Sequence, residues 1–504
     1  MNKLLESMKT ENNFKLTENG AVALKSTNSC LLDLFGEIGA LRNRSDEDII
    51  NLYIPAYYEN KELSLKTLFY ARDILEGLGE RRTFRVLVKY LANNHSDDIK
   101  NLIEYIPEYG RWDDLYVFID TPLQNEALEV IKKQFNEDMI NLNEGKGISL
   151  LGKWLKSENA SSKETKRLGT ITREYLNLNS KDYRKALSKL RQAIDVVEKK
   201  MSSKKFNEIK YENVPSVAMH RYGRCFRKND KDGFLNYLNK VKTGEVKINA
   251  KTLFPYDLVE SYFKVPSYYG CLLSFESEIK EETKLDEVVE EQWKALPNYL
   301  TGNDNFLVMA DTSGSMMGRP MATSVGLAIY FAERSNGAFA NEFITFTDEP
   351  RLVEIPKYAT LYDKVKRVMD DKYVGFNTNL EAAFELVLNT AKKYHLSQEL
   401  MPKAIVVISD MEIDEFGSRN AKKDLSFTQT MKQRFEEIGL TMPTLVYWNV
   451  DARQDTFHAC KDDNVRFVSG SSPTVFKGLC EHLGYSPTEL MMNILNSERY
   501  EKIK

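Results

Sequence analysis

The chain has 504 residues, of which 42% are hydrophobic and 29% are charged, and its 70 basic and 74 acidic side chains give a net charge of -4. This composition is that of a globular protein and excludes collagen-like, purely coiled-coil and wholly disordered chains. At about 150 residues per domain, the length suggests two to four domains.

The charge is distributed unevenly along the chain. Residues 1–145 carry a net charge of -8, residues 146–251 carry +15 and residues 252–504 carry -11. We call residues 146–251 the basic block. The near-neutral total argues against a nucleic-acid-binding protein, whereas a block of this sign and size favours one, and the distribution is the more informative quantity.

The sequence shows no secretory signal, and its apolar runs are too short to span a membrane. Its five cysteines are widely spaced and include no CxxC pair, a pattern typical of reduced thiols. We therefore expect a cytoplasmic protein with no membrane partner, no disulfide framework and no zinc site.

Between residues 29 and 264, apolar residues recur at spacings of three and four, as in LLDLFGEIGALR and TFRVLVKYLANN. This periodicity predicts amphipathic helices, and the short polar breaks predict antiparallel neighbours. Helix pairs at this density indicate a HEAT-like repeat domain, although no fixed repeat length is evident. The acidic run EIKEETKLDEVVEEQ at 278–292 is the best candidate for a linker.

After residue 297, short apolar runs alternate with helical stretches. The runs predict strands at 305–311, 341–347, 404–410, 444–450 and 465–470. The intervening stretches predict helices at 321–335, 380–391, 427–438 and 473–483. This alternation predicts a doubly wound, mostly parallel α/β sheet covered on both faces, in which ligands bind beyond the carboxyl ends of the strands.

Carboxylates and hydroxyls are concentrated at those strand ends. The first strand ends in the sequence DTSGS, which contains Asp311, Ser313 and Ser315, and the third predicted strand ends in Asp410. Thr378 lies in the GFNTNL loop between them. Such hard oxygen donors suit Mg²⁺ or another divalent cation. Because neutral hydroxyls leave the ion most of its Lewis acidity, an open position would accept a carboxylate from a partner.

Residues 303–483 resemble a von Willebrand factor A domain, whose metal-ion-dependent adhesion site has the pattern DxSxS…T…D. The sequence has a residue of the required type at all five ligand positions: Asp311, Ser313, Ser315, Thr378 and Asp410. The resemblance implies a non-enzymatic module that binds a protein partner through Mg²⁺.

The helical half resembles the family of domain of unknown function 2828, on the segments IPEYGRWDDL, SENASSKETKRL and LFPYDLV. That family is similar in layout to the Ro autoantigen proteins, in which a ring-forming helical-repeat TROVE module precedes a von Willebrand factor A domain. We therefore predict an N-terminal extension (1–28), a TROVE-like helical domain (29–277), an acidic linker (278–302) and a von Willebrand factor A domain with C-terminal helices (303–504).

Two clusters of the basic block are candidates for binding RNA. In YRKALSKLRQAIDVVEKK (183–200), Leu187, Leu190, Ile194 and Val197 are predicted to form the buried stripe of one helix. The cationic candidates of that helix and of HRYGRCFRK (220–228) are Arg184, Lys185, Lys189, Arg191, His220, Arg221, Arg224, Arg227 and Lys228. Tyr222 and Phe226 are interleaved with the second cluster, as expected if bases of single-stranded RNA stack there.

These patterns predict a non-enzymatic RNA-binding scaffold, a ribonucleoprotein component, that binds structured or single-stranded RNA ends. One alternative is a protein-interaction scaffold whose basic block contacts acidic protein, since a charge run is usually a solvated face. Another is an undetected hydrolase. GISLLGKW at 147–154 nearly matches a P-loop, but Trp154 replaces the required Ser or Thr and no strand precedes it. The adjacent Asp113 and Asp114 are better explained as helix caps.

Overall fold

The N-terminal half of the chain is helical, as predicted. The computed structural model describes residues 12–18, 20, 22–263, 286–300, 305–335, 338–346, 350–369, 379–413, 427–459, 465–475 and 485–504. The helices of this half are α1 Cys30–Glu37, α2 Asp46–Glu59, α3 Lys61–Arg72, α4 Arg82–Asn94, α5 Ser96–Lys100, α6 Ile106–Tyr109, α7 Gln124–Asn143, α8 Leu151–Trp154, α9 Lys163–Tyr175, α10 Ser180–Ala193, α11 Val197–Ser202, α12 Ser216–Asn229, α13 Lys231–Lys242, α14 Pro255–Val259 and α15 Glu287–Lys294.

Side-chain caps start several of these helices. Ser29 accepts a hydrogen bond from the Leu32 amide in α1, and Asn179 accepts one from the Asp182 amide in α10. Each cap satisfies one of the backbone donors that the first turn leaves without an intrahelical partner. Short 3-10 turns also occur in this half, at Leu41–Asn43, Ile103–Tyr105, Trp112–Phe118, Phe206–Glu208, Tyr211–Asn213 and Glu260–Tyr262.

Two segments differ from the sequence-based expectations. The single helix predicted over 183–200 is two helices, α10 and α11, because Asp195 takes a positive φ of 54° and ends the periodicity. Leu187 and Leu190 are buried in the main core, whereas Val197 packs in a second apolar cluster. Within the segment predicted to be a linker, α15 is ordered and buries Val288, Val289 and Trp293 against the fold.

The C-terminal half is a six-stranded mixed sheet flanked by helices. Its elements are β3 Phe306–Asp311, α16 Arg319–Arg334, β4 Glu342–Phe346, β5 Arg351–Glu354, α17 Leu361–Val368, α18 Leu380–Tyr394, β6 Ala404–Ser409, α19 Phe427–Glu437, β7 Thr444–Asn449, β8 Val465–Ser469 and α20 Pro487–Leu495, with 3-10 turns at Gly314–Met316, Gln398–Leu400 and Glu498–Tyr500. The strand order is β5-β4-β3-β6-β7-β8, with every pairing parallel except β4 with β5.

This sheet confirms the predicted α/β architecture. Every residue of β3 and of β6 is buried, which is expected where both faces of a parallel sheet are covered. The five predicted strands are all present, and the edge strand β5 was missed because only one of its four residues is buried. The predicted helix at 473–483 lies mostly outside the described residues.

The helical half packs directly on the sheet, so that the buried apolar core is continuous between them. Helix α1 contacts β8, and the Gly39 amide donates to Ser469 Oγ at 2.9 Å. A Cβ at Gly39 would lie 2.7 Å from the Ser469 carbonyl carbon, so only glycine permits this approach. Helix α14 packs on α16, where a Cβ at Gly326 would lie 3.1 Å from the Pro255 carbonyl carbon.

The N-terminal extension also joins the sheet domain. Strands β1 Phe14–Leu16 and β2 Val22–Leu24 form an antiparallel hairpin, and Leu24 forms a bridge with Phe457 after β7. None of the helices in the described part of the chain is both long enough and apolar enough to span a bilayer.

Candidate metal centre

The ends of two central strands bring the first site residues together. Strands β3 and β6 are parallel neighbours, with Ala310 paired to Ile408, so Asp311 and Ser409 leave the sheet side by side. From β3 the chain continues to β4 on one side of the sheet, and from β6 it continues to β7 on the other side. The adjoining ends of β3 and β6 are therefore a topological switch point. Ser409 Oγ donates to Asp311 Oδ2 at 2.6 Å, a contact that the sequence pattern did not reveal.

The DTSGS turn holds its two hydroxyls at a spacing that suits a metal ion. The Ser313 amide donates to Asp311 Oδ1 at 2.8 Å, which fixes the turn beneath the carboxylate. Ser313 Oγ and Ser315 Oγ form a hydrogen bond with each other at 3.0 Å. Adjacent ligands of an octahedral Mg²⁺, at metal–oxygen distances of about 2.0–2.1 Å, are separated by roughly 2.9 Å. The hydroxyl pair therefore fits one edge of a Mg²⁺ coordination sphere.

Asp311 is fully buried. Burial raises the pKa of Asp311 to about 7, and the negative charge of Asp410 adds to this rise. The hydrogen bonds from Ser313 and Ser409 act in the opposite direction because they stabilise the ionised carboxylate. The negative charge of Asp410 disfavours ionisation of Asp311. A divalent cation between the two carboxylates would offset this repulsion.

Asp410 is held by an arginine. Arg453 Nη2 lies 2.5 Å from Asp410 Oδ2, and Arg453 Nη1 lies 3.2 Å from a carboxylate oxygen of Glu18. The Glu412 amide donates to the other oxygen of Asp410 at 3.1 Å. A cation already occupies one face of this carboxylate, so a metal ion that engages Asp410 has to share it with the guanidinium or displace it.

The N-terminal hairpin forms one wall beside this arginine. The Glu18 amide donates to Glu412 Oε2 at 2.6 Å, and Thr17 Oγ1 donates to the Ile413 carbonyl at 2.6 Å. Burial raises the pKa of Glu412 above its ordinary value. The contact between the hairpin and the loop after β6 joins residues almost four hundred positions apart, and no local sequence signal announced it.

The structure brings together four of the five predicted metal ligands. Asp311, Ser313, Ser315 and Asp410 lie on the adjoining ends of β3 and β6, whereas Thr378 lies outside the described residues. Within the described ranges, no group of three or more His, Cys, Asp and Glu side chains is placed to hold a metal ion. The candidate centre thus depends on serine hydroxyls, and its residues would hold Mg²⁺ through two hydroxyls and two carboxylates.

The cationic candidates on α10 are of two kinds. Arg184, Lys185 and Lys189 are exposed, and none has an acidic partner among the residues that the structure describes. Arg191 is structural, because Nε donates to the Gly152 carbonyl at 3.0 Å and Nη2 donates to the Leu155 carbonyl at 2.8 Å. Among the described residues, no carboxylate therefore neutralises three of these four side chains, although Arg184 Nε donates to the Ser180 carbonyl at 3.1 Å.

The second cluster is on α12. Arg221 and Lys228 are exposed and have no acidic partner in the described part of the chain, whereas Arg227 pairs with Glu287 of α15. Arg224 is 75% exposed and lies 3.6 Å from Asp286. His220 is partly buried, its Nε2 is 3.3 Å from Ser261 Oγ, and burial lowers its pKa.

The expected role of Phe226 is wrong. Phe226 is fully buried in the second apolar cluster, where it contacts Tyr211 and Phe234. Tyr222 packs against the edge of Phe226, and its hydroxyl donates to Glu198 at 3.4 Å. Helical spacing places these aromatics on the inner face of α12, so the outer face of this helix presents charged side chains and no stacking rings.

The sequence signals that were set aside as catalytic have structural roles. Asp114 Oδ2 accepts from the Arg111 amide at 2.9 Å at the start of a 3-10 turn, which confirms the capping role. Asp114 also pairs with the buried Arg72 at 2.8 Å and with Arg85 at 2.6 Å. In the near P-loop, Leu151–Trp154 is a short helix, as expected.

The fold and the site together define a two-part protein, in which a helical domain packs on a doubly wound α/β domain with a hydroxyl-rich strand-end site. The chain belongs to the family described as Domain of unknown function (DUF2828), which matches residues 17–137 and 148–304. Residues 305–501 match a second family, described as Domain of unknown function (DUF7788). The predicted membership of the first family is confirmed.

Two individual proteins are similar to the chain over most of its length. Uncharacterized protein L728 of Acanthamoeba polyphaga mimivirus is 27% identical over 523 residues, which cover 96% of this chain and 87% of that protein. The crystal structure of the Deinococcus radiodurans RO (RSR) protein matches with a TM-score of 0.39 and 11% identity, over 93% of both chains.

Proposed function

We propose that the protein is a non-enzymatic RNA-binding scaffold of the cytoplasm, a ribonucleoprotein component whose α/β domain binds a protein partner through Mg²⁺. The observation that carries the RNA-binding part is the set of exposed cations without acidic partners among the described residues: Arg184, Lys185, Lys189, Arg221 and Lys228. Backbone phosphates are the polyanion that such unpaired cations attract, with release of counterions.

Salt-dependent binding tests this part of the proposal. The affinity for a pool of short RNAs with single-stranded ends should fall steeply between about 50 and 200 mM salt. The double variant Arg221→Glu and Arg224→Glu should weaken it strongly, whereas the same reversal at Arg167, which is already paired with Asp120 and Glu164, should have a small effect. Absence of binding by the wild-type protein at low salt contradicts the proposal.

The metal-binding part rests on the 3.0 Å separation of Ser313 Oγ and Ser315 Oγ and on the pair Asp311 and Asp410. When bound, Mg²⁺ would supply a Lewis acid with an open position for a partner's carboxylate. The two serine hydroxyls and the two carboxylates would contact the ion, and Asp311 would also orient the turn through the Ser313 amide. Titration with Mg²⁺ followed by calorimetry should give heat for the wild type and none for Asp311→Ala, and equal heats contradict the assignment.

One observation favours a different partner for part of the basic block. Glu287 of α15 pairs with Arg227 and also with Lys242 at 2.5 Å, so this corner of the block already binds an acidic segment of the chain. A scaffold that binds acidic protein is the second candidate function. Competition between polyglutamate and RNA tests this candidate. A site that recognises RNA makes contacts that a carboxylate chain lacks, so polyglutamate that competes at equal charge concentration would support binding of acidic protein.

A further inference from the structure

A cavity of about 600 Å³ opens in the basic block between α8, α10 and α11. Its size falls within the roughly 300–1,000 Å³ of pockets that hold small ligands. We call it the α10 pocket. The lining comprises Lys153, Ser157, Asn159, Arg184, Leu187, Ser188, Arg191, Val196, Glu198, Lys199 and Ser202.

Three of the lining cations are available to an anion. Lys153, Arg184 and Lys199 form no ion pair with any residue that the structure describes. Their other contacts are neutral: Lys199 Nζ donates to Gln192 Oε1 at 3.3 Å, Arg184 Nε donates to the Ser180 carbonyl at 3.1 Å, and Lys153 Nζ lies 5.6 Å from the centre of the Trp154 ring. The nearby carboxylate of Asp195 is engaged by Lys200 at 2.7 Å. The pocket thus combines uncompensated positive charge with a concave shape, which distinguishes it from the exposed lysines elsewhere on the block.

One carboxylate in the pocket has an unsatisfied acceptor. Glu198 Oε1 accepts from the Tyr222 hydroxyl at 3.4 Å, whereas Glu198 Oε2 is buried and has no hydrogen-bond partner in the described part of the chain. A carboxylate oxygen accepts more than one hydrogen bond, so the single 3.4 Å bond from Tyr222 leaves Glu198 Oε1 able to accept a donor from a ligand. A ligand that fits must therefore carry both an anion and a hydroxyl or amino donor.

We propose that the α10 pocket binds one ribonucleotide unit of an RNA strand, with a phosphate on Lys153, Arg184 and Lys199 and the ribose 2′-hydroxyl donating to Glu198. This inference rests on the proposed RNA-binding function and adds a place and a chemical selectivity to it. The 2′-hydroxyl is the group by which a protein distinguishes RNA from DNA at a given site. Helix α10, fixed by the bonds of Arg191 to two backbone carbonyls, holds the pocket open.

The experiment compares RNA and DNA dodecamers of one sequence by fluorescence anisotropy with the full-length chain. The wild type should bind the RNA about tenfold more tightly than the DNA. Lys199→Glu should weaken both ligands tenfold or more. Lys181→Glu, an equal charge change at an exposed position of α10 outside the pocket, should weaken both only a few-fold.

Glu198→Ala is the decisive variant. It should lower RNA affinity to that of DNA without weakening DNA binding, whereas Glu198→Gln, which keeps an acceptor, should retain part of the preference. A purely structural role for Glu198 would weaken both ligands equally and would overturn the assignment of the 2′-hydroxyl.

The remaining outcomes separate this inference from the proposed function. If Lys199→Glu and Lys181→Glu weaken RNA binding equally, the RNA-binding function stands and the pocket assignment is wrong. If the wild type binds no RNA at low salt, both are wrong. If polyglutamate displaces the RNA at equal charge concentration, the pocket binds an acidic polypeptide and the ribonucleotide assignment is overturned.

Discussion

Replacing Arg453 with glutamine should increase the affinity of the strand-end site for Mg²⁺. Arg453 Nη2 lies 2.5 Å from Asp410 Oδ2, so an ion held by this carboxylate is close to the guanidinium. Adding a metal–oxygen distance of about 2 Å places the two cations roughly 5 Å apart. Glutamine removes the positive charge and keeps a donor for Asp410.

The expected size follows from Coulomb's law. A dication and a monocation about 5 Å apart repel each other by about 2 kcal/mol in a water-like dielectric and by about 7 kcal/mol at an effective dielectric constant of ~20. Because Arg453 is 32% exposed, the lower value is the appropriate one. About 1.4 kcal/mol corresponds to a tenfold change in Kd, so the variant should bind Mg²⁺ at least about tenfold more tightly.

Isothermal titration calorimetry measures this difference directly. Arg434→Gln is the matched control, because Arg434 is 22% exposed, belongs to the same domain and pairs with two carboxylates of α18, Glu381 and Glu385. It should leave the Kd unchanged. The expected increase requires that the Arg453 guanidinium competes with Mg²⁺ for Asp410. This competition is refuted if the Arg453→Gln protein folds normally but binds Mg²⁺ no more tightly than wild type. Loss of all binding in the double variant with Asp311→Ala would show that the heat comes from this site.

Three further predictions concern stability. Asp114→Ala leaves a fully buried guanidinium without its carboxylate and should cost about 3–5 kcal/mol in urea unfolding, and a loss below about 1 kcal/mol contradicts this. Gly39→Ala places a Cβ 2.7 Å from the Ser469 carbonyl and should cost about 1–3 kcal/mol, whereas Gly147→Ala, with nothing within 4 Å, should be nearly neutral in the same thermal melt. Burial lowers the pKa of His458 to about 4, so the unfolded state takes up the proton first as the pH falls from about 6.5. Relative to His458→Gln, the wild type should therefore lose up to about 3 kcal/mol of stability between pH 6.5 and 4, and parallel pH profiles of the two proteins contradict this.

Much of the fold was predictable because its signals are local. The period of apolar residues in the sequence decided which segments are helix and which are strand, and all five predicted strands are present. The break between α10 and α11 was missed, since the positive φ of Asp195 interrupts the helix without a glycine or proline to mark it. The edge strand β5 was missed for a related reason, because its burial pattern is too short to show a period.

The candidate site was predictable in its chemistry and incomplete in its surroundings. The pattern DxSxS with a second strand-end aspartate is local, and it was sufficient to identify Asp311 and Asp410. Their neighbours Ser409 and Arg453 could not be found in the same way, because the parallel register of β3 with β6 and a loop after another strand bring them there. The role expected for Phe226 failed because alternation with arginines says nothing about which face of α12 is buried.

By itself, the sequence determined the class of each half, the family of the helical half, the position of the basic block and the donor types of the candidate metal centre. These properties depend on residue type and on spacings of a few residues, which the chain carries at any stage of folding. Only the tertiary structure decided which charges remain unpaired. Glu287 reaches Arg227 across sixty positions and Arg453 joins Glu18 to Asp410, so the available charge is fixed by long-range packing and not by composition.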